Sequence, residues 1–288
     1  MRILFSTLMK KFLLFILLIS GLARCQIYSP RDVKICNSVF KHAVKENLGK
    51  EKIGDIIAAV GKSFIGTEYV AHTLERSGKE KLVIDLSGMD CTTFLEYTLA
   101  LAECIKSNKT TFKSFENQLT EIRYRGGVIN GYPSRLNYFS DWIYDNVRKG
   151  IIKNVSGEMG GVPLKFKVDY MSLHPAQYKQ LKENPSFVPQ IREQEKTIGE
   201  RSYYYIPKEN IAACRDKIHN GDLIAFTTNI KGLDITHVGI AVKMKNGSIH
   251  LLHAPDVGYK VQISEYSLPV YISKIKKDTG IIVLKASD

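Results

Sequence analysis

One cysteine lies at the predicted start of a helix, between an aspartate and two threonines. The stretch SGMDCTTFLEYTLA covers residues 87–100, and apolar residues recur at helical spacing downstream of Cys91. Asp90 has the position and the chemistry of an N-cap, which places Cys91 on the first helical turn. Unpaired backbone N–H groups and the helix dipole favour a thiolate at that position. Cys91 is therefore a candidate nucleophile.

A catalytic thiol needs an imidazole as its base, and the imidazole needs a third group that orients it. His237 opens the strand-like run HVGIAV, in which Gly239 would leave room for another chain or a substrate. His253 closes the next such run, SIHLLHA, and an Asn-Gly turn signal would join the two runs as a hairpin. His250 and His253 point to opposite faces, so only one of them can share a face with His237. These patterns permit a Cys91–His237–His253 site without requiring it, because each histidine alone is compatible with a structural role.

The elements that would position these residues change in character along the chain. Helical patterns cover residues 30–66, 94–105, 112–124 and 138–147. A mixed segment follows, with the strand-like runs VPLKFKV and YYYI around a charged helical piece at 177–195. Five short β-rich runs separated by turn residues then occupy residues 222–285. Helices followed by such a meander predict an α+β fold in which a helix packs on an antiparallel sheet, rather than a parallel βαβ sheet.

The composition gives little support to nucleic-acid or metal binding. The 288-residue chain carries a formal net charge of +12, but it has no run of five or more Lys/Arg residues and no interleaving of basic and aromatic residues. We therefore expect a solvated basic surface, suited to anionic partners, and no nucleic-acid partner. None of the five cysteines forms a CxxC pair, so we expect no metal site. A disulfide between Cys36 and Cys214 is conceivable, but the sequence does not establish it.

The first 25 residues have the pattern of a secretory signal peptide. A basic start precedes an apolar run over residues 12–19, which is shorter than the roughly 20 apolar residues of a transmembrane helix. Ala23 and Cys25 then precede a predicted cleavage before Gln26, which would make the mature chain periplasmic or secreted. Lipidation of Cys25, with anchoring to a membrane, is the second choice because Arg24 replaces the small residue that such a site prefers.

The motifs resemble those of a known enzyme superfamily in type and in order. The runs DCTTF, GDLIAF, HVGIAV and LLHA are similar to the signatures of NlpC-type, papain-like cell-wall cysteine peptidases and amidases. The stretches YRGGVINGYPSRLNYFSDWIYDN and GLDITHVGIA resemble the N-acetylmuramoyl-L-alanine amidase-like branch, domain of unknown function 1460. The resemblance implies one papain-like α+β domain over residues 26–288, with N-terminal helices and a nucleophile helix on the sheet. Residues 126–215 would be an insertion that lines the cleft.

The same resemblance implies roles for the residues around the thiol. Cys91 would be the nucleophile, His237 the general base and then the general acid, and His253 the group that orients His237. Tyr69, in the upstream context GTEY, would form the oxyanion site together with the backbone N–H of Cys91. Asp90, beside the nucleophile, is placed in the same oxyanion and substrate-binding group.

The SRLNY segment is expected to bind substrate. By resemblance it lines the cleft, which gives binding roles to Ser134, Arg135 and Tyr138. Arg135 could pair with a carboxylate of the stem peptide in a bidentate manner. Asn137 departs from the family pattern, in which this position is often a histidine.

The implied reaction is hydrolysis of the amide between the lactyl group of N-acetylmuramic acid and L-Ala, in peptidoglycan or muropeptides and without a cofactor. Three alternatives stay open. The same site could cut the bond between γ-D-Glu and the diamino acid, as an endopeptidase. The cysteine and the two histidines could instead hold zinc in a zinc amidase, although no H-E-x-x-H motif is present. The chain could also be a non-catalytic muropeptide-binding module.

Overall fold

The structure, a computed structural model, describes residues 26–288, and the predicted signal segment with Cys25 lies outside the described residues. The helices of the described part fall into an N-terminal group, a middle group and one C-terminal helix. They are Pro30–Lys45 (α1), Ile53–Ser63 (α2), Cys91–Lys106 (α3), Phe112–Arg123 (α4), Phe139–Arg148 (α5), Tyr170–Leu173 (α6), Lys179–Glu183 (α7), Val188–Glu200 (α8), Ile211–Cys214 (α9) and Leu268–Ser273 (α10). Short 3-10 helices lie at Leu48–Lys50, Arg125–Gly127, Tyr132–Ser134, Pro175–Gln177, Pro185–Phe187, Lys208–Asn210 and Arg215–Lys217.

The strands form one large antiparallel sheet and two small parallel pairs. They are Gln26–Ile27 (β1), Glu68–Tyr69 (β2), Leu82–Val83 (β3), Gly88–Met89 (β4), Ile152–Asn154 (β5), Val162–Leu164 (β6), Tyr203–Pro207 (β7), Leu223–Thr228 (β8), Ile235–Lys243 (β9), Ile249–His253 (β10), Gln262–Ser267 (β11) and Asp278–Ala286 (β12). The large sheet has the order β11-β10-β9-β8-β12-β7-β6, and β5 pairs with β12. β1 pairs with β3, and β2 pairs with β4 immediately before α3.

Both faces of the large sheet are covered. Along β8, Leu223 and Ala225 belong to one apolar cluster, whereas Ile224 and Phe226 belong to a second one. Since successive side chains of a strand point to opposite faces, the two clusters lie on opposite sides of the sheet. The first cluster contains helices α1 to α5, and the second contains α9 and α10. Two covered faces explain why these strands read as continuous apolar runs.

Helix α3 is the central element of the first layer. It packs against α1, α2 and α4 and lies on strands β9 and β10. From Thr93 to Ala102 every residue is buried, so this helix has neighbours on nearly every side. The helix that begins with Cys91 is therefore held rigidly against the strands that carry His237 and His253.

The predicted mixed fold, with helices and an antiparallel sheet, is confirmed. The helical patterns correspond to α1 to α5, and the late β-rich runs correspond to β8 to β12. The prediction of one helix is wrong. The continuous helix predicted over residues 177–195 is instead two helices, Lys179–Glu183 and Val188–Glu200, with an interruption between them. Pro185 lacks a backbone N–H and disfavours a helical Asn184, which has φ −135° and ψ 83°.

Two further findings concern the described residues only. The bridge left open between Cys36 and Cys214 does not form: both thiols are free and buried, in clusters on opposite faces of the sheet. Between residues 26 and 288, no helix combines the length and the apolar character that crossing a membrane requires.

Candidate active site

The start of α3 is fixed by a reciprocal capping box. The side chain of Asp90 accepts hydrogen bonds from the backbone N–H of Thr93 and from its hydroxyl, both at 2.8 Å. In return, the Thr93 hydroxyl accepts the backbone N–H of Asp90 at 2.9 Å. This exchange satisfies donors that a helix start otherwise leaves free, and it holds Cys91 on the first turn, as the sequence predicts.

The half-buried thiol of Cys91 is protonated at neutral pH. Burial and the neighbouring Asp90 carboxylate raise the pKa of Cys91 to about 12, although the backbone N–H groups of Val238 and Thr92 favour the charged form. Backbone N–H groups thus favour the thiolate, as expected for a helix start, but they do not set the net direction of the shift. The desolvation of the sulfur, together with the adjacent charge, outweighs the helix terminus.

The two histidines come together across the β9–β10 hairpin. Nε2 of His237 lies 2.7 Å from Nδ1 of His253, a hydrogen-bond distance, as the predicted hairpin permits. Burial lowers the pKa of His237 to about 4, and burial and then the charge of His237 lower the pKa of His253 to about 3. Both rings are thus neutral at neutral pH. Because Nε2 of His237 is taken, its Nδ1 is the nitrogen left to receive a proton from another group.

Gly239 matters for the approach of the two strands. A Cβ atom at this position would lie 2.8 Å from Cδ1 of Leu251 and 3.0 Å from Cβ of His253. The space that the sequence assigned to another chain or a substrate is therefore filled by the neighbouring strand β10. The glycine is required because it lets His253 approach His237.

Aromatic rings enclose the histidine pair. The ring of Tyr271, on α10, lies edge-to-face with His253 at 5.3 Å, and Phe226 lies edge-to-face with His237 at 5.7 Å. This apolar enclosure is the source of the desolvation that keeps both imidazoles uncharged. No local sequence signal marks Tyr271 or Phe226, because contacts between α10, β8 and β10 are fixed only by the tertiary fold.

A cleft of about 320 Å³ opens at Cys91 and His237. Its other wall comes mainly from residues between 132 and 178, including Tyr132, Asn137 and Tyr138. Residues of the segment 126–215 thus line the cleft. The Tyr138 hydroxyl donates to Glu195 at 2.8 Å and accepts the backbone N–H of Met171 at 3.0 Å, so its polar atom is used within the protein.

Tyr69 and Ser134 were also predicted at the site, and neither is among the residues that line this cleft. Tyr69 lies on β2, opposite Met89 of β4, and is half-buried close to the thiol. Its pKa is raised to about 12 by burial and then by Cys91 and Asp90, so its hydroxyl is a proton donor at neutral pH. The Ser134 hydroxyl accepts the backbone N–H of Asn130 and donates to the carbonyl of Gly131, which closes a turn.

Arg135 lies behind the cleft wall. It is 5% exposed, and its guanidinium lies 3.0 Å from Glu75 and 3.4 Å from Glu80. It also donates to the carbonyl of Leu74 and stacks 4.6 Å from the ring centre of Tyr132. The expected contact between Arg135 and a substrate carboxylate is therefore replaced in this structure by internal pairing.

The described part of the chain contains no group of side chains suited to binding a metal ion. Across residues 26–288, no three His, Cys, Asp or Glu side chains come together in a way that could hold a metal ion. The nitrogens that face each other in the histidine pair are joined by a hydrogen bond, which is a different arrangement from two imidazoles converging on one ion.

The chain matches one family model and is similar to several solved structures. The AmiA-like family model, described as N-acetylmuramoyl-L-alanine amidase-like, matches residues 59–281. An N-acetylmuramoyl-L-alanine amidase from Bacteroides uniformis is 38% identical, with a TM-score of 0.78, and the match covers 82% of this chain and 99% of that one. No sequence among the curated proteins matches this chain significantly.

Two further structures are similar. A Bacteroides fragilis protein described as a candidate xylanase is 41% identical, with a TM-score of 0.73, over 79% of this chain and 99% of that one. A Legionella pneumophila protein of the DUF1460 family model is 20% identical, with a TM-score of 0.64, over 87% of this chain and 94% of that one. The last similarity concerns the fold alone.

Proposed function

Because the chain belongs to the N-acetylmuramoyl-L-alanine amidase-like family, we propose that it hydrolyses the amide between N-acetylmuramic acid and L-Ala with Cys91 as nucleophile. The observation that carries this proposal is the 2.7 Å hydrogen bond between His237 and His253, next to a cleft that Cys91 and His237 both line. Nucleophile, base and orienting group are the parts that acyl transfer by a thiol requires. On this view the fold is a papain-like variant of the NlpC type.

The neutral thiol and the neutral imidazole define the first chemical step. As the Cys91 sulfur attacks the lactyl carbonyl carbon, its proton moves to Nδ1 of His237, and the carbonyl oxygen takes up the negative charge. The reaction requires the tautomer in which Nε2–H of His237 donates to Nδ1 of His253, 2.7 Å away, because this tautomer leaves Nδ1 of His237 free. When the C–N bond breaks, His237 returns the proton to the departing amine of L-Ala. A thioester remains on the muramoyl side.

Water completes the cycle. His237 takes a proton from a water molecule that attacks the thioester carbon, and the C–S bond breaks as the muramoyl carboxylic acid forms. The proton then returns to the Cys91 sulfur. During both attacks, the backbone N–H of Cys91 and the Tyr69 hydroxyl would donate to the oxyanion. The raised pKa of Tyr69 keeps that hydroxyl protonated for this role.

Glycoside hydrolysis is less well supported by the cleft, although one similar structure is described as a candidate xylanase. Glycosidases use two carboxyl groups that flank the scissile bond. Asp234, in the cleft wall, accepts backbone N–H groups of Ser140 and Ile235 at 2.7 and 2.8 Å. Glu75 is paired with Arg135. Both oxygens of Asp234 are thus taken by backbone donors, and one oxygen of Glu75 is taken by Arg135, which suits structural carboxylates better than an acid and a base.

The proposal extends to the compartment. The leader pattern over residues 1–25 supports a periplasmic or secreted enzyme, where peptidoglycan and its fragments are found, with a lipidated Cys25 as the second choice. The basic composition also suits a substrate that carries stem-peptide carboxylates.

The test uses a defined disaccharide-tetrapeptide, with products identified by mass spectrometry. The protein without its leader is expected to release the intact tetrapeptide beginning with L-Ala, whereas Cys91→Ala is expected to release none. Cys104→Ala, a buried cysteine further along α3, is the matched control and keeps activity. A product that still carries L-Ala-D-Glu on the sugar would show the endopeptidase reaction instead. Binding without turnover by the unmodified protein would contradict the enzyme proposal.

A further inference from the structure

One region of the cleft wall contains polar atoms without a partner. Glu75 and Tyr132 line the same cleft as Cys91 and His237. Oε2 of Glu75 and the hydroxyl of Tyr132 are both buried and have no hydrogen-bond partner among the described residues. Tyr132 is only 1% exposed, so bulk water does not serve its hydroxyl. Buried polar atoms without partners are rare in folded proteins because each one costs free energy.

The two side chains are also held in place, which argues against accidental orientation. The other oxygen of Glu75, Oε1, accepts from Arg135 at 3.0 Å. The guanidinium of Arg135 lies 4.6 Å from the ring centre of Tyr132, and this ring also stacks with Phe187, with 6.5 Å between the ring centres. A buried arginine thus braces both cleft-lining side chains, and one carboxylate oxygen and one hydroxyl of the two are left without a partner. This is how binding sites keep their polar groups oriented.

We propose that Glu75 and Tyr132 form a subsite that binds a secondary amide of the substrate. The amide N–H would donate to Oε2 of Glu75, and the Tyr132 hydroxyl would donate to the amide carbonyl. A secondary amide fits better than an ammonium group, because it offers an N–H to the free oxygen of Glu75 and a carbonyl to the Tyr132 hydroxyl, whereas an ammonium group offers no acceptor. The inference rests on the proposed function, which supplies secondary amides of two kinds besides the bond that is cut: the acetamido groups of the sugars and the peptide bonds of the stem. Arg135 is then a positioning residue.

The test compares Tyr132→Phe and Glu75→Gln with two matched controls. Tyr203→Phe and Glu103→Gln change residues of the same types that also carry buried oxygens without a partner, outside this cleft. Tyr132→Phe keeps the ring for Arg135 and Phe187 and removes only the hydroxyl. Its melting temperature is therefore expected to stay equal or rise, while kcat/KM on the disaccharide-tetrapeptide falls about tenfold. In Glu75→Gln, kcat/KM is expected to fall about tenfold to a hundredfold. The two controls are expected to keep the kcat/KM of the unmodified protein.

Two shortened substrates identify which amide is bound. If the subsite binds an acetamido group, the loss caused by Tyr132→Phe disappears on a disaccharide-tetrapeptide whose sugars are N-deacetylated. If it binds a peptide bond of the stem, the loss disappears on the N-acetylated disaccharide that carries L-Ala alone. An equal loss on all three substrates, or no loss on any, overturns the subsite.

Binding separates this inference from the proposed reaction. The same variants are placed in the Cys91→Ala background, and calorimetry measures the Kd of the intact disaccharide-tetrapeptide. Weaker binding by Tyr132→Phe, with an unchanged melting temperature, supports the subsite even if no hydrolysis is found. Unchanged binding by both cleft variants overturns it even if the amidase reaction is real.

Discussion

At the scale of single residues, burial keeps both Cys91 and His237 uncharged, so the two do not form an ion pair in the free protein. The thiol of Cys91 has a raised pKa and the imidazole of His237 a lowered one, so neither carries a charge in the free protein. Both shifts have burial as their largest cause. In the proposed reaction, the proton transfer would become favourable only with a substrate carbonyl present, because the proposed oxyanion site would then stabilise the negative charge that forms.

This arrangement predicts the acid limit of activity. His237 can accept a proton only while it is neutral, so kcat/KM should fall as the pH drops through about 4, rather than near 6.5. Asp256 raises the pKa of His237 and Lys277 lowers it. We expect Asp256→Asn to move the acid limb to lower pH and Lys277→Met to move it to higher pH, each by a few tenths of a pH unit. The measurement is kcat/KM between pH 3 and 9.

Shifts of equal sign in the two variants would contradict this electrostatic account. A limb near pH 6.5 in the unmodified protein would also contradict it, since an imidazole exposed to water titrates there. The fold must be shown to persist by circular dichroism at each pH, because two buried neutral histidines also make the folded state less stable as the pH falls from 6.5 towards 4.

At the scale of elements, the start of α3 couples helix stability to thiol chemistry. Asp90 caps the helix through Thr93, and its carboxylate also raises the pKa of Cys91. The two effects are separable, because an asparagine caps about as well as an aspartate but carries no charge.

Asp90→Asn and Asp90→Ala should therefore differ in stability but agree in reactivity. We expect the alanine variant to lose about 1 kcal/mol of unfolding free energy and the asparagine variant much less. In both, the pKa of Cys91 should fall, so alkylation by iodoacetamide at pH 8 should be faster than in the unmodified protein. Urea unfolding and alkylation rates, corrected with Cys91→Ala for the other thiols, are the measurements. Slower alkylation of Asp90→Asn would show that Asp90 does not oppose the thiolate.

The parts of the site that the sequence predicts lie on elements with strong local sequence signals. The N-cap before Cys91 and the Asn-Gly turn between β9 and β10 are local patterns, and they predict the first turn of α3 and the meeting of His237 with His253. Glu75 and Tyr132 carry no such signal: their approach depends on Arg135, which lies 60 residues beyond Glu75 in the chain. Desolvation of the thiol is equally non-local, since it comes from the packing of β9 on α3.

At the scale of the whole molecule, the helical layer is joined to the site by a buried ion pair. Nε of Arg123, on α4, lies 2.6 Å from Oε2 of Glu96 on α3, and Nη1 donates to the carbonyl of Val83 on β3 at 2.6 Å. Both charged side chains are at most 3% exposed. A charge in such surroundings is tolerated only while its partner is present, so the pair ties α3 to two other elements.

Removing one partner should therefore cost more than removing both. We expect Arg123→Met to lower the unfolding free energy by about 3–5 kcal/mol, because Glu96 is left buried without its counter-charge. Adding Glu96→Leu to that variant should restore part of the loss, since two apolar side chains of similar size bury no charge. Urea unfolding of the single and double variants measures the coupling, with Lys196→Met of the exposed Lys196–Glu193 pair as a control that changes little. Strictly additive losses would mean that Glu96 and Arg123 act independently, and that the layer is held to α3 by apolar packing alone.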